Sequence, residues 1–227
     1  MTDVITPQEA TRMRLRTLAL LPASLIALAV ILAVASPALL WPIVFGAAGW
    51  LVALVLRQPV ALIASKKLSQ ENAQRVVGWF SGPAEELVRL AVVLLVIRTA
   101  QEAAWAGWGW ATVEVLIIVL NLMVIAGILT KDDPKSREAR ELLAAQGMLE
   151  DHHPAWGFLE RISATALHTG FTLLLFAQPW LVLVTLPLHS VTNMLAARFG
   201  KTHVALTELA LLVVGAGVLA WGILALA

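Results

Sequence analysis

The sequence predicts an all-α fold: a polytopic membrane bundle of about seven transmembrane helices, one integral membrane domain over residues 1–227, with the N-terminus in the cytoplasm. Three observations predict it. Hydrophobic residues make up 59% of the chain and charged residues 14%, with a mean hydropathy of +0.83, whereas a soluble domain is roughly half apolar and a quarter charged. The shortage of charge weighs more than the apolar excess, because charge is what lipid excludes. Seven apolar runs approach the roughly 20 residues that a helix needs to cross a bilayer. Lysine and arginine then alternate between connections. Of the 16, Arg12, Arg14, Arg16, Lys66, Lys67, Arg75, Lys131, Lys135, Arg137, Arg140, Arg198 and Lys201 fall in the N-terminal tail or in every second loop. That bias marks the cytoplasmic side.

Composition also excludes function classes. A net charge of +1 gives no argument for nucleic acid, and the absence of cysteine removes disulfides, thiolate metal sites and cysteine nucleophiles. Nine tryptophans and no tyrosine supply the interfacial aromatics. Trp41, Trp79, Trp105, Trp156, Trp180 and Trp221 sit near predicted span ends.

The first run, 17–36, is longer than the apolar core of a signal peptide and is read as a retained span. The second, 42–64, carries Gly46, Gly49 and Ala53 at the spacing of small residues in helix contacts. The third, 83–101, is expected to start at a break at Ser81-Gly82-Pro83, with Val76–Phe80 entering the membrane to cover that start. The fourth, 109–130, places Trp110, Glu114 and Asn121 on one stripe. Asp133-Pro134 is an N-cap and N1 pair for a charged cytoplasmic helix over about 133–147, with Gly147 near its end.

In the fifth run, 157–177, Arg161, Thr165, His168 and Thr172 share one helical face. In the sixth, 180–197, Thr185, His189, Thr192 and Asn193 do the same, with Pro187 between them freeing a backbone carbonyl. The seventh is 204–226.

The most informative residues are Glu85-Glu86-Leu-Val-Arg89. An ionised side chain at bilayer depth costs about 2.5–3.5 kcal/mol on insertion scales, so such residues usually face a functional interior. Arg89 stands at i+4 from Glu85 and i+3 from Glu86 and can hold either. With the stripes above, the carboxylates, His168, His189 and Asn193 are expected to face one polar cavity in the cytoplasmic half. Plainer readings apply elsewhere. Glu150-Asp151-His152-His153 reads as a solvated loop end, His203 as interfacial, Glu208 and Arg57 as paired or solvated through the bundle, and the span threonines as bonded to their own helices.

The order Glu85-Glu86-x-x-Arg89, Glu114, Glu160-Arg161 with His168, then His189-x-x-x-Asn193 resembles the YhfC-type intramembrane proteases, relatives of the CAAX-processing and bacteriocin-processing glutamic proteases. The likeness runs from about Phe45 to Asn193. It implies a bacterial plasma-membrane endopeptidase whose partners are the lipid bilayer and a membrane-bound peptide or protein substrate. Glu85 or Glu86 would be the general base, His168 would position the water, and His189 and Asn193 would stabilise the oxyanion, with Arg89 among the catalytic residues and Glu114, Glu160 and Arg161 supporting. A desolvated carboxylate suits proton abstraction, and N–H donors one turn apart suit a developing oxyanion.

The chain departs from the pattern in three places. Two residues, not three, separate Arg89 from the glutamate pair; Trp110 stands where the YhfC segment carries histidine; and Ala164 replaces a phenylalanine. No cofactor is implied; a metal stays open as an alternative but is not indicated, since there is no HExxH and the candidate ligands lie on different spans. The rival readings are a non-catalytic scaffold of the same architecture and a proton-coupled transporter, which would use Glu114 as a relay.

Overall fold

The computed structural model describes residues 4–34, 40–145, 153–200 and 202–227. Among these there is no strand; the elements are α1 (Pro7–Leu18), α2 (Leu21–Val34), α3 (Leu40–Lys67), α4 (Gln70–Leu95), α5 (Ala100–Leu129), α6 (Pro134–Ala145), α7 (Pro154–Ala177), a 3-10 turn (Pro179–Leu181), α8 (Val182–Phe199) and α9 (Val204–Leu224). Among the described residues, five segments are long and apolar enough to cross a membrane: Pro7–Leu32, Leu40–Lys67, Ala100–Leu129, Pro179–Phe199 and Val204–Leu224. The chain is thus a helical membrane protein. The helices α4 and α7 have 26 and 24 residues but carry the ionisable groups, which makes them less apolar than the five.

Local sequence explains the boundaries. Thr6 and Glu9 form a capping box at α1, Ser69 caps α4 through Asn72, and Thr99 and Glu102 form a second box at α5. This second box corrects the expected spans. The third helix ends at Leu95, short of the expected 101, and the fourth begins at Ala100, so residues 102–108, expected to be connection, lie in the first turns of α5. The expected break at Ser81-Gly82-Pro83 is likewise absent. These residues and Val76–Phe80 lie inside one continuous helix, α4. The α6 helix matches its expected start, with Asp133 accepting from the Ser136 N–H at 3.1 Å; Gly147 and Glu150-Asp151-His152 lie outside the described residues.

Close approaches fix the register. A Cβ on Gly46 would stand 2.0 Å from the Ala106 carbonyl oxygen, so α3 and α5 touch backbone to backbone there and run parallel onward through Trp50–Trp110 packing. Arg57 meets Glu85, and Gly49 meets Val92, setting α3 antiparallel to α4. Gly78 meets Met194, and Glu86 meets His189, setting α4 antiparallel to α8. Gly107 lies on Thr169 and Glu114 on Arg161, so α7 runs against α5; Gly215 lies on Ser163 and Gly222 on Gly170, so α9 runs with α7. Lys66 and Lys67, Arg75, Lys131 and Arg198 consequently share one end of the bundle, the basic end. The apolar core lies around Phe171, Leu174 and Leu175 of α7.

Candidate functional site

Three ion-paired groups meet at the centre of the bundle. On α4, Glu85, Glu86 and Arg89 are all buried, and Arg89 holds Glu86, with Nε 3.1 Å from Oε1. Arg89 then reaches α7. Nη1 donates to the His168 carbonyl at 3.2 Å and to Thr172 Oγ1 at 3.0 Å, Nη2 meets His168 Nδ1 at 2.9 Å, and the guanidinium carbon lies 4.1 Å from the Trp110 ring centroid. Glu85 takes different partners: Arg57 Nη1 at 3.1 Å from Oε1, and Trp110 Nε1 donating at 3.1 Å to Oε2. The ambiguity over which glutamate the arginine holds is thereby resolved. Arg89 pairs with Glu86, and Arg57 pairs with Glu85.

These contacts set the protons on both histidines. Arginine donates and never accepts, so His168 Nδ1 is the acceptor and the ring proton sits on Nε2, which donates to Glu114 Oε2 at 2.8 Å. Glu114 is braced by Arg161 Nη1 at 2.9 Å, and Arg161 also pairs with Glu160. His189 Nδ1 donates to Glu86 Oε1 at 2.7 Å, so its Nε2 is the free atom, 3.8 Å from Glu85 Oε2. A separation of that length between two polar atoms suits a bridging water.

A cavity of about 320 Å³ opens over this pair; Arg57, Glu85, Glu114, His168, His189 and Asn193 are among its lining residues. Its lining runs from Glu85 and His189 to Asn121, Glu160 and Ala196, toward the basic end. A second, apolar groove of about 370 Å³ between α8 and α9 shares Thr192, Ala196 and Leu211 with it.

Of the expected residues, Glu85, Glu114, Glu160, Arg161, His168, His189 and Asn193 line the one cavity, while Glu86 and Arg89 stand behind it. The Asn193 amide is anchored: Nδ2 donates to Ser81 Oγ at 2.9 Å, and Ser81 donates to the Gly78 carbonyl at 2.6 Å. Glu114 pairs with Arg161 and His168, not with the Asn121 stripe. Thr165, Thr172 and Thr192 bond back to their own helices, whereas the buried hydroxyl of Thr185 has no hydrogen-bond partner among the described residues, against the expectation for the span threonines. Arg57 and Trp110 are the partners that sequence reasoning missed. The depth of Arg57 inside an apolar run was the available signal.

Ligand atoms of Glu85, His168 and His189 lie within 4.8 Å of one another, a spacing that invites a divalent cation. The proton positions do not fit one. A metal-bound imidazole needs a bare ring nitrogen, yet His168 offers Nδ1 to Arg89 and carries its proton on Nε2. That leaves Glu85 and His189, fewer than the three protein ligands of a catalytic zinc site. No family model, no curated protein and no solved structure matches the chain.

Proposed function

We propose that the protein is a membrane-embedded glutamic endopeptidase related to the CAAX-processing and YhfC-type proteases, with seven spans, a cytoplasmic N-terminus and a place in the bacterial plasma membrane. The observation that carries this reading is the facing of Glu85 Oε2 and His189 Nε2 at 3.8 Å over a polar cavity. The polar groups of α4 and α7 turn toward neighbouring helices while Leu87, Leu94 and Leu95 of α4 face outward, which supports counting both helices as spans. The basic end, on the positive-inside rule, is then cytoplasmic.

In this mechanism a water between Glu85 and His189 gives its proton to Glu85 as its oxygen attacks the carbonyl of a membrane-bound peptide. His189, oriented through Nδ1 by Glu86, donates from Nε2 in its protonated form to the oxyanion, and the second amide hydrogen of Asn193 adds a donor. The proton on Glu85 passes to the leaving amine. Arg57 and Trp110 hold Glu85 in place, and Glu114 with Arg89 holds His168. The apolar groove between α8 and α9 gives an embedded substrate a lateral approach.

A specific observation favours a second reading, the non-catalytic scaffold: Arg57 and Trp110 already occupy both Glu85 oxygens. One experiment separates the two. Purified protein is incubated in lipid nanodiscs with a single-span peptide library in H₂¹⁸O, with a chelator present throughout. The protease yields new carboxyl termini carrying ¹⁸O. Peptides that remain intact with a folded protein favour the scaffold.

A further inference from the structure

At the basic-end mouth of the cavity, carboxylates outnumber cations. Arg161 is bonded to both Glu114 and Glu160, and Glu208 of α9 has Glu160 and Arg161 as its charged neighbours. Two carboxylates thus share one guanidinium, and the third lies nearby without an ion pair to it among the described residues. Glu160 lines the cavity with 40% of its side chain exposed. Glu208 is the independent sign of a missing partner: the residue is only 6% exposed, and its Oε2 is fully buried with no hydrogen-bond partner among the described residues. A buried carboxylate oxygen is ordinarily paired, because its lost hydration is otherwise uncompensated. Leu211, one turn along α9 from Glu208, belongs to the cavity lining, so Glu208 adjoins the cavity wall.

We propose that this Glu160–Glu208 mouth binds a lysine or arginine side chain of the substrate, on the cytoplasmic flank of the bond that is cleaved. The proposal rests on the protease reading for the word substrate, and it narrows the substrate class to membrane peptides with a basic juxtamembrane residue. Depth agrees. Glu160 and Glu208 lie six and four residues into α7 and α9, about 9 Å and 6 Å from the basic end at 1.5 Å per residue. Membrane spans carry Lys and Arg on this side, and their long stems reach along apolar surface while the charge seeks polar partners. A guanidinium or ammonium placed here completes the pairing of Glu208 without competing with Arg161, which stays on Glu114.

The test is direct binding to the full-length E85Q protein, which removes turnover, in neutral phosphatidylcholine nanodiscs. Fluorescent single-span peptides carry one lysine, scanned through the cytoplasmic flank, or glutamine at the same position. At one register the lysine peptide binds about tenfold tighter than its glutamine counterpart. Added salt shrinks that advantage, and E160Q/E208Q abolishes it without weakening the glutamine peptide. Should the double variant unfold, E160Q alone, at a half-exposed site, reports the same loss in part. Equal binding of both peptides at every register, or an advantage that survives the double variant, overturns the proposal. Lysine preference without cleavage by the native protein defeats the protease reading and leaves the basic-group site standing; cleavage without lysine preference does the reverse.

Discussion

Ser190 donates its hydroxyl to the carbonyl oxygen of Trp79 at 2.7 Å, the acceptor that Pro83 leaves unused four residues along the same helix. Proline has no N–H, so an uninterrupted helix through it exposes one carbonyl per proline. Here α8 supplies the replacement donor. Gly82 lets α8 come close enough, since a Cβ there would stand 2.2 Å from Ser190 Oγ. One turn further, Asn193 bonds Ser81. The crossing of α4 and α8 at these residues sets His189 against Glu86.

Removing the Ser190 hydroxyl leaves that part-buried carbonyl without its donor. Ser190→Ala is expected to cost about 1–3 kcal/mol of stability, measured by denaturant unfolding in detergent. In the Pro83→Ala background the new N–H serves Trp79, so the same change costs less there. An identical cost in both backgrounds means the hydroxyl does not serve the proline's orphan.

Arg89 joins Glu86, His168, Thr172 and the Trp110 ring from a site 1% exposed. Arg89→Met strands the Glu86 carboxylate, and breaking a buried pair from one side costs about 3–5 kcal/mol. Arg89→Lys rescues little, because a point charge cannot make the divergent contacts of a guanidinium. Thermal unfolding that matches the native protein for either variant would show that the network is not holding α4 to α7.

Outside the spans, the cap of α6 responds to acid. Asp133 is held below its ordinary 3.8 chiefly by the Ser136 hydroxyl. A lowered value means the ionised cap stabilises its helix at neutral pH and loses that contribution as pH falls below the ordinary value. Amide protection in the first turn of α6, corrected for intrinsic exchange, should therefore drop as pH falls below about 4, and Asp133→Asn should remove that pH dependence. Flat protection in the native protein across that range contradicts the capping assignment.

Water access separates a protease from a transporter. The cavity lining extends to Ala196 near the basic end, whereas Thr185 is fully buried on the far side of His189. Because the chain has no cysteine, single cysteines report cleanly. Ala196→Cys should label with an impermeant thiol reagent from the cytoplasmic side only, and Thr185→Cys from neither side. Substrate-dependent labelling of Thr185→Cys from outside identifies a transporter.

Much of the site was legible in the sequence, because charges deep in apolar runs have few places to go. The stripe Arg161, Thr165, His168 and Thr172 is buried as one face, and Glu85, His168, His189 and Asn193 do share a cavity. What local pattern could not carry was pairing across the bundle. Pro83 reads as a break because the compensating donor, Ser190, is 111 residues from Trp79, whose carbonyl it serves. Gly107 reads as connection and Gly109 as the very start of a span, yet both lie inside α5 where Thr169 and Ile43 press against it. Arg57 reads as paired or solvated with no partner named, because Glu85, its partner, belongs to another helix.

The central claim is a division of labour between adjacent glutamates: Glu85 faces the cavity as base, and Glu86, with no exposed surface, orients His189. The direct measurement is the single-turnover cleavage rate of Glu85→Gln and Glu86→Gln on one membrane peptide, beside the thermal stability of each. Glu85→Gln should retain the fold and lose cleavage entirely. Glu86→Gln should keep measurable cleavage and lose more stability, since it weakens the Arg89 pair. Full activity in Glu85→Gln, or equal and mild losses in both variants, contradicts the account.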